Sequence, residues 1–151
     1  MAVSYREMTI ADYDDVFSLW SQTEGMGLNS TDSRGNIGRY LNQNPGQSFV
    51  AIENNKITGT ILCGHDGRRG YIHHLAVEKN QRNKGIANSL VDLALKKLLE
   101  NGIVKCHVFV FADNVEGVNF WEHIGWKNRT DITLLSKLFG DDDLDNELTS
   151  R

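Results

Sequence analysis

The 151-residue sequence contains one proline, two cysteines and no long apolar run. A membrane-spanning helix needs roughly 18 consecutive apolar residues, so none is predicted, and the N-terminus lacks the basic start and apolar stretch of a signal peptide. Cys63 and Cys106 form neither a C-x-x-C metal motif nor a disulfide scaffold. The sequence therefore predicts a soluble, cytoplasmic protein with no metal site and two buried free thiols.

An excess of acidic or of basic residues is also absent from most of the sequence. The formal net charge is -4, but residues 140–151 carry five of the 20 acidic residues and one of the 16 basic ones. The remaining 15 acids and 15 bases balance, so no large nucleic-acid-binding surface is predicted. We interpret residues 1–139 as one domain and residues 140–151 as an acidic, disordered C-terminal tail.

Hydrophobic periodicity predicts a mixed α/β fold in a single domain. The element order is strand, helix, helix, three strands, helix, strand, helix, strand. The segments are 3–8, 11–24, 36–44, 48–53, 56–65, 71–77, 84–101, 105–111, 114–124 and 131–139. Strand 71–77, the helix after it and strand 105–111 fit a parallel β-α-β unit.

The junction between strand 71–77 and the next helix has a composition suited to an anion. The first N–H groups of a helix have no intrahelical partners and lie at the positive end of its dipole. Arg82 and Lys84 add positive charge, and Gly85 allows a phosphate to approach the main chain. Neither G-x-G-x-x-G nor G-x-x-x-x-G-K-[ST] is present. The residues alone leave two interpretations, a pyrophosphate site or an ordinary helix start with solvated charges.

The segment LAVEKNQRNKGIANSL resembles the acyl-CoA-binding motif of the GNAT superfamily of N-acetyltransferases, Q/R-x-x-G-x-G/A. Arg82, Gly85 and Ala87 occupy its positions, and Val77 ends the preceding strand. DNVEGVNFWEHIGW resembles a second segment of the family, and the element order is similar over about residues 3–139. The turn DGRRG is most similar to that of a small bacterial group of acetyltransferases.

The resemblance implies a GNAT fold, acetyl-CoA as the co-substrate and no metal. It implies that the main chain of Leu75 and Val77 pairs with the pantetheine arm, and that Asn114 hydrogen-bonds to it. Trp121 stands where many members carry a tyrosine that acts as the acid, and it is expected to pack against the sulfur end. The pyrophosphate is expected on the amides of Arg82, Asn83, Lys84, Gly85, Ile86, Ala87 and Asn88.

The strand YIHHLAV offers a general base. Two-residue alternation places Tyr71, His73, Leu75 and Val77 on one face and Ile72, His74 and Ala76 on the other. Because Val77 marks the cofactor side, His73 is predicted to face the reaction and His74 to face away. An imidazole has a suitable pKa, and the position of His73 resembles that of a catalytic histidine in serotonin N-acetyltransferase-type members. The alternative for His73 is packing within the sheet.

The source of the proton for the leaving thiolate stays open, because an indole N–H is no useful acid. The alternatives are that the thiolate leaves unprotonated, or that it takes a proton from water or from Tyr71, a second catalytic candidate. Because the tyrosine is missing, a non-catalytic acyl-CoA-binding sensor is the alternative function, and a nucleotide-binding regulator is a third. The preferred prediction is an N-acetyltransferase that acts by base-assisted direct attack of a primary amine.

The acceptor amine is not specified by the sequence, since acceptor loops vary most within one fold. A small-molecule amine and a protein amine both remain open, and so does a homodimer. Neither a nucleic acid nor a membrane is expected as a partner.

Overall fold

The computed structural model describes residues 2–140, so the predicted acidic tail lies outside the described residues except for Gly140. One sheet of five strands carries helices on both faces, in a single domain. The strands are β1 (Ser4–Glu7), β2 (Phe49–Glu53), β3 (Lys56–His65), β4 (Gly70–Val77) and β5 (Cys106–Val108). The α-helices are α1 (Tyr13–Gln22), α2 (Arg34–Gln43), α3 (Ile86–Glu100) and α4 (Val115–His123). Within residues 2–140, no helix is long and apolar enough to cross a membrane.

The strands lie in the sheet in their chain order, β1-β2-β3-β4-β5. Neighbours from β1 to β4 are antiparallel, whereas β4 and β5 are parallel. Parallel neighbours need a crossover connection, and α3 supplies it. The predicted mixed α/β fold and its β-α-β unit are therefore confirmed.

The core consists of two layers, one on each face of the sheet. On one face, β3 and β4 contribute Ile61, Cys63 and Ile72, which pack with Leu90, Val91 and Ala94 of α3. On the other face, Val50, Leu62 and Ala76 pack with Val16, Trp20 and Ile37 of α1 and α2. A buried side chain of this size contributes roughly 1.5–3 kcal/mol to folding, so the two layers fix the strands that line the site.

Local sequence signals place the first helix and the first hairpin correctly. The main-chain N–H of Thr9 donates to Asp12 Oδ2 at 2.9 Å, as a capping box requires, and a short 3₁₀ turn at Ile10–Asp12 leads into α1. Asn54 and Asn55 have φ of 54° and 61°, and this left-handed backbone forms the two-residue turn between β2 and β3.

The predicted final strand, 131–139, is wrong, because these residues form neither strand nor helix. The preceding strand is also shorter than the predicted 105–111, since β5 ends at Val108. The alternating apolar pattern is typical of a strand, but a strand is stable only beside another strand. In the described part of the chain, no strand lies beyond β5.

Candidate active site

The candidate site is a cleft that opens where β4 and β5 separate. The two strands pair only from Gly70 with Cys106 to Ile72 with Val108. Beyond this point, β4 continues through residues 73–77 with β3 on one side and no strand on the other among residues 2–140. A cavity of about 1100 Å³ lies there, with walls from β4, the loop before α3, residues 108–111, α4 and α2.

Most of the residues predicted for the site line this cavity. They are His73, Leu75, Val77, Arg82, Asn83, Gly85, Ile86, Ala87, Asn88, Asn114 and Trp121. Two predicted residues do not. The ring of Tyr71 packs against His107 and Phe109, and the Lys84 ammonium lies 3.6 Å from Glu53 Oε2 and donates to Gln81. The positive charge of Lys84 is therefore directed to a carboxylate and away from the cavity wall.

The loop between β4 and α3 presents main-chain groups to the cavity. Asn83 and Gly85 have φ of 66° and 77°, so the chain turns sharply just before Ile86, where α3 begins. A Cβ at Gly85 would meet no atom within 4 Å, so open space lies beside this main chain. The Arg82 side chain folds back, and its Nε donates to the Val77 carbonyl at 3.1 Å. The first amides of α3 remain free to bind an anion.

A β-bulge in β4 overturns the predicted separation of the two histidines. The pairing with β3 passes from Ala76 opposite Thr60 to His73 opposite Leu62, so β4 holds one extra residue there. His74 has φ of 49°, an uncommon backbone conformation for a residue other than glycine. The prediction that His74 faces away from His73 is therefore wrong. Both imidazoles lie on the α1 and α2 side of the sheet and line the cavity.

His74 is held in place by partners distant in sequence. Its Nε2 lies 2.6 Å from Asp32 Oδ1, and both side chains are largely buried. An ionised carboxylate only accepts hydrogen bonds, so Nε2–H is the donor. Thr60 Oγ1 donates to the His74 carbonyl at 3.0 Å and accepts from Trp20 Nε1 at 2.9 Å. These bonds anchor both the ring and the main chain of the bulge.

His73 lies in a largely apolar environment. Its ring centroid is 6.1 Å from that of Tyr40 on α2 and 6.1 Å from that of Phe109 after β5. Burial lowers the pKa of His73, and the neighbouring His74 lowers it further, while the Asp32 carboxylate opposes them. His73 is therefore neutral near pH 7 and able to accept a proton.

Asn114 and Trp121 form the wall on the α4 side. Asn114 Oδ1 accepts from the Gly117 N–H at 3.0 Å and so caps α4. The Trp121 side chain is almost completely buried, and its ring lies edge-on against Trp126, with centroids 4.6 Å apart. Trp121 is therefore a rigid apolar wall that carries no titratable proton.

The wall formed by α2 was not predicted. Asn36, Arg39, Tyr40 and Gln43 follow the spacing i, i+3, i+4, i+7 and all face the cavity. This polar stripe is visible in the sequence, although nothing local assigns it to a site. Asp32 and His74 are 42 residues apart, so no local pattern could reveal their contact.

Comparisons with known proteins agree with this geometry. The model of the acetyltransferase (GNAT) family matches residues 13–126. An acetyltransferase of Pectobacterium atrosepticum is 33% identical over 130 residues, which are 86% of this chain and 92% of that protein. An acetyltransferase of Sodalis glossinidius is 31% identical over 126 residues, 83% of this chain and 88% of that protein.

Among solved structures, the PaiA N-acetyltransferase of Thermoplasma acidophilum in complex with coenzyme A superposes with a TM-score of 0.74 at 17% identity. The alignment covers 95% of this chain and 97% of that one, and at this identity the likeness concerns the fold. The family match and the two bacterial relatives extend over most of the described residues. This chain therefore belongs to the acetyltransferase (GNAT) family and is an N-acetyltransferase.

Proposed function

We propose that this protein transfers the acetyl group of acetyl-CoA to a primary amine, with His73 as the general base. The observation that carries the proposal is the position of His73. A half-buried imidazole with a lowered pKa lies where β4 and β5 separate, on the wall of the cavity.

The residues along β4 and the α3 loop suit acetyl-CoA as the co-substrate. Residues 73–77 have a free strand edge toward the cleft, so Leu75 and Val77 can pair with an extended arm that carries amides, as in strand addition. The amides from Arg82 to Asn88 suit a pyrophosphate. The Asn114 Nδ2 group offers a further donor on the opposite wall. When bound, acetyl-CoA supplies the acetyl group as an activated thioester.

The space at Gly85 is the feature of the loop most specific to a bulky anion. The residue needs its left-handed φ, and no described atom fills the volume that a side chain would occupy. A phosphate can therefore approach the amides that follow Gly85. The Arg82 guanidinium, bonded to the Val77 carbonyl, lies at the same end of the cleft and adds positive charge.

His73 prepares the acceptor for attack. An amine reaches the site mostly as an ammonium, which has no free electron pair and must lose a proton before it attacks a carbonyl carbon. His73 takes that proton on a ring nitrogen, since its lowered pKa keeps the ring neutral at pH 7. General base catalysis of this kind contributes about 10²–10⁴-fold to a rate.

Asp32 and His74 position the base in this proposal. The contact between Asp32 Oδ1 and His74 Nε2 and the bond from Thr60 to the His74 carbonyl fix the bulge. Since the bulge shifts the alternation of β4 by one residue, it sets the direction in which His73 projects. His74 therefore fixes the backbone beside His73 and lowers the pKa of His73. It does not contact the acceptor in this proposal.

In this mechanism the C–S bond breaks as the C–N bond forms, the attacking nitrogen gives its second surplus proton to water, and the leaving thiolate takes its proton from water. Trp121 cannot release a proton, and Tyr71 packs against His107 and Phe109 and does not line the cavity. The only role that we propose for Tyr71 is to order a chain of water molecules. A thiol with an ordinary pKa near 8.5 is a fair leaving group without a dedicated acid.

The acceptor enters between α2 and the loop after α1. This part of the cavity is polar and carries both signs of charge, with Glu24 on one side and Arg39 on the other. The mixture does not select one class of amine, so both small-molecule and protein amines are proposed as candidates. The cytoplasmic location stays a prediction from the sequence.

The test is thiol release from acetyl-CoA over a panel of small amines, peptides with free N-termini and lysine peptides. The proposal predicts release with at least one class and none without an acceptor. Binding of acetyl-CoA with no turnover on any class would favour the sensor, which the absence of the tyrosine at Trp121 supports. Thermal stabilisation by ATP or NAD but not by CoA would instead indicate the nucleotide-binding regulator.

A further inference from the structure

The loop after α1 crosses the cleft and contacts the wall on the α4 side. A Cβ at Gly25 would lie 2.8 Å from Asn114 Nδ2, and a Cβ at Gly27 would lie 2.6 Å from Cζ of Phe111. These distances are too short for real Cβ atoms, so only glycine lets the main chain of the loop approach both side chains. The loop therefore covers this side of the cleft, and an acceptor that enters between the loop and α2 passes along α2.

Arg39 carries the one full charge on the polar stripe of α2 that lines the cavity. Arg34, on the same helix, is paired with Asp14 at 2.8 Å. No carboxylate of residues 2–140 lies within ion-pair distance of Arg39. A guanidinium on a cavity wall without a counter-ion attracts the anionic group of a ligand.

Asn36 fixes the direction of the Arg39 guanidinium. Its Nδ2 donates to the Ser30 carbonyl at 3.0 Å, and its Oδ1 accepts from Arg39 Nη2. The spacing i, i+3 on α2 brings the two side chains together. This bond uses one N–H of the planar guanidinium, and the other N–H donors remain for a carboxylate, which they bind in pairs.

The charges in this part of the cavity match an acceptor that carries both signs. Glu24, in the loop after α1, attracts the ammonium that must reach His73, and Arg39 attracts an anionic group. A third charged residue, Asp32, is largely buried and already bound to His74. A simple alkylamine would leave Arg39 without a counter-ion, whereas an amine that also carries a carboxylate would pair with it.

We propose that Arg39 binds the carboxylate of an acceptor whose primary amine lies at the other end of an aliphatic chain, as in a free ω-amino acid or a lysine at the C-terminus of a peptide. The inference rests on the proposed acetyl transfer, since it names the acceptor class of that site. Only the amine reacts. It loses one proton to His73 and a second to water, its nitrogen forms the C–N bond as the C–S bond breaks, and the thiolate takes a proton from water. The carboxylate is unchanged.

The positions of Arg39 and His73 set the length of the acceptor. Tyr40 follows Arg39 on α2, and its ring centroid is 6.1 Å from that of His73. Arg39 instead extends toward Asn36, one turn back along the helix. The acceptor must therefore bridge a distance on the order of 10 Å, which is one helical turn plus a side chain. An α-amino acid holds both charges on one carbon and is too short to reach both residues with its own two groups.

The first experiment measures thiol release from acetyl-CoA with two acceptors of the same length, ε-aminocaproate and its neutral amide, ε-aminocaproamide. We expect wild type to have the lower KM for the carboxylate. Arg39→Ala should raise the KM for ε-aminocaproate at least about tenfold, with little change in kcat, and should leave the KM for the amide near its wild-type value. β-Alanine, which is shorter, should be a poor acceptor. Equal KM values for the carboxylate and the amide in wild type overturn the proposal.

Charge reversal and a paired arginine provide the controls. Arg39→Glu should prefer hexamethylenediamine to ε-aminocaproate, the opposite of wild type. Arg34→Ala removes a guanidinium from the same helix but outside the cavity wall, and it should keep both KM values. A short peptide that ends in lysine, compared with its C-terminal amide, distinguishes a peptide acceptor from a free amino acid. An effect of Arg34→Ala equal to that of Arg39→Ala contradicts a carboxylate site at Arg39.

Calorimetry with ε-aminocaproate in the presence of CoA tests the site without turnover. Wild type should bind, and Arg39→Ala should bind at least about tenfold more weakly. Binding that depends on Arg39 but is followed by no acetylation would refute the proposed function and leave the carboxylate site in place. Equal binding by the two proteins, or binding by neither, would overturn the site itself.

Discussion

Asp32 Oδ1 and His74 Nε2 lie 2.6 Å apart, and this contact joins the short 3₁₀ turn before α2, Ser30–Asp32, to a β-bulge in the middle of β4. The left-handed backbone of His74 is unfavourable by itself and persists only when surrounding contacts determine it. Here those contacts come from Asp32, Thr60 and Trp20. The consequence is that two adjacent histidines project to the same side of the sheet, whereas regular two-residue alternation along β4 would place them on opposite faces.

Substitution of the two histidines should have different effects. His73→Ala should lower kcat by about 100-fold or more, since it removes the general base. His74→Asn keeps a residue that tolerates the left-handed backbone but leaves the buried Asp32 carboxylate without its partner. It should therefore lower the melting temperature by several degrees and reduce kcat much less.

Kinetics with a responsive amine, below the melting temperature of each variant, check this difference. His107→Ala removes an imidazole outside the cavity wall and serves as the control, with kcat near the wild-type value. If His74→Asn lost as much activity as His73→Ala while fully folded, the Asp32–His74 pair would itself be the base.

The pH dependence of kcat/KM should report the titration of His73. Burial lowers its pKa from the ordinary value of about 6.5, so activity should rise with pH through a limb whose midpoint lies below 6.5. In His74→Asn, the electrostatic effect by which His74 lowers the pKa of His73 is gone, and the midpoint should move to higher pH. A midpoint above 7 in the wild type, or a shift to lower pH in the variant, would contradict the assignment.

The role of Gly85 in binding acetyl-CoA can be tested by comparison with another glycine of similar backbone conformation. Gly85→Val introduces a side chain into the open space beside the loop amides, so the KM for acetyl-CoA should rise at least tenfold with a smaller change in kcat. The substitution also costs about 1–2 kcal/mol in stability, because φ is 77°.

Gly67 is the matched control, since its φ is 96°, a Cβ there would also meet no atom within 4 Å, and it lies outside the cavity. Gly67→Val should cost similar stability and leave the KM unchanged. Equal KM values for the two variants would remove the support for a pyrophosphate at the α3 loop.

Stability at the start of α1 should depend on Asp12 far more than on Asp14. Asp12 accepts two hydrogen bonds from the Arg6 guanidinium, at 2.8 and 2.9 Å, and a third from the Thr9 N–H. Asp12→Ala should lower the free energy of unfolding by about 2 kcal/mol. Asp14→Ala breaks an exposed pair with Arg34 and should cost less than about 1 kcal/mol.

Acid unfolding gives a second check on Asp12. The Arg6 hydrogen bond holds the pKa of Asp12 below its ordinary value of about 3.8, so the stabilisation is present above that pH and is lost as the pH falls through the lowered pKa. The difference between wild type and Asp12→Ala should therefore shrink below pH 3.8. A constant difference down to pH 2 would exclude the carboxylate as its source.

Local patterns in the sequence were sufficient to predict most of the helices, strands and turns. The apolar face of α3, the capping residues Thr9 and Asp12, and the turn at Asn54 and Asn55 each depend on side chains only a few residues apart. The stretch 131–139 has the same kind of alternation and forms no strand, because a strand is stable only when it pairs with another strand. Periodicity within a segment carries no information about such a partner.

The candidate site shows the same difference between features set by local sequence and features set by distant contacts. The order of Arg82, Gly85 and Ala87 after a strand was enough to locate the loop before α3, since a helix start and a small residue are local properties. The side chain of Lys84 lies beside the Glu53 carboxylate, which comes from a distant strand, so no local pattern could reveal that contact. Tyr71 shares a strand with His73, but the cavity begins only where β5 departs from β4.

The sequence by itself determined the mixed α/β fold, the anion-suited loop at the start of α3 and the candidate base on β4, because short-range spacing encodes each of them. Only the tertiary structure decided that His73 and His74 share one side of the sheet, that Trp121 is a buried wall and that residues 131–139 pair with no strand of the described chain. These features depend on contacts between residues far apart in the chain, and a bulge of one residue reverses what alternation alone predicts.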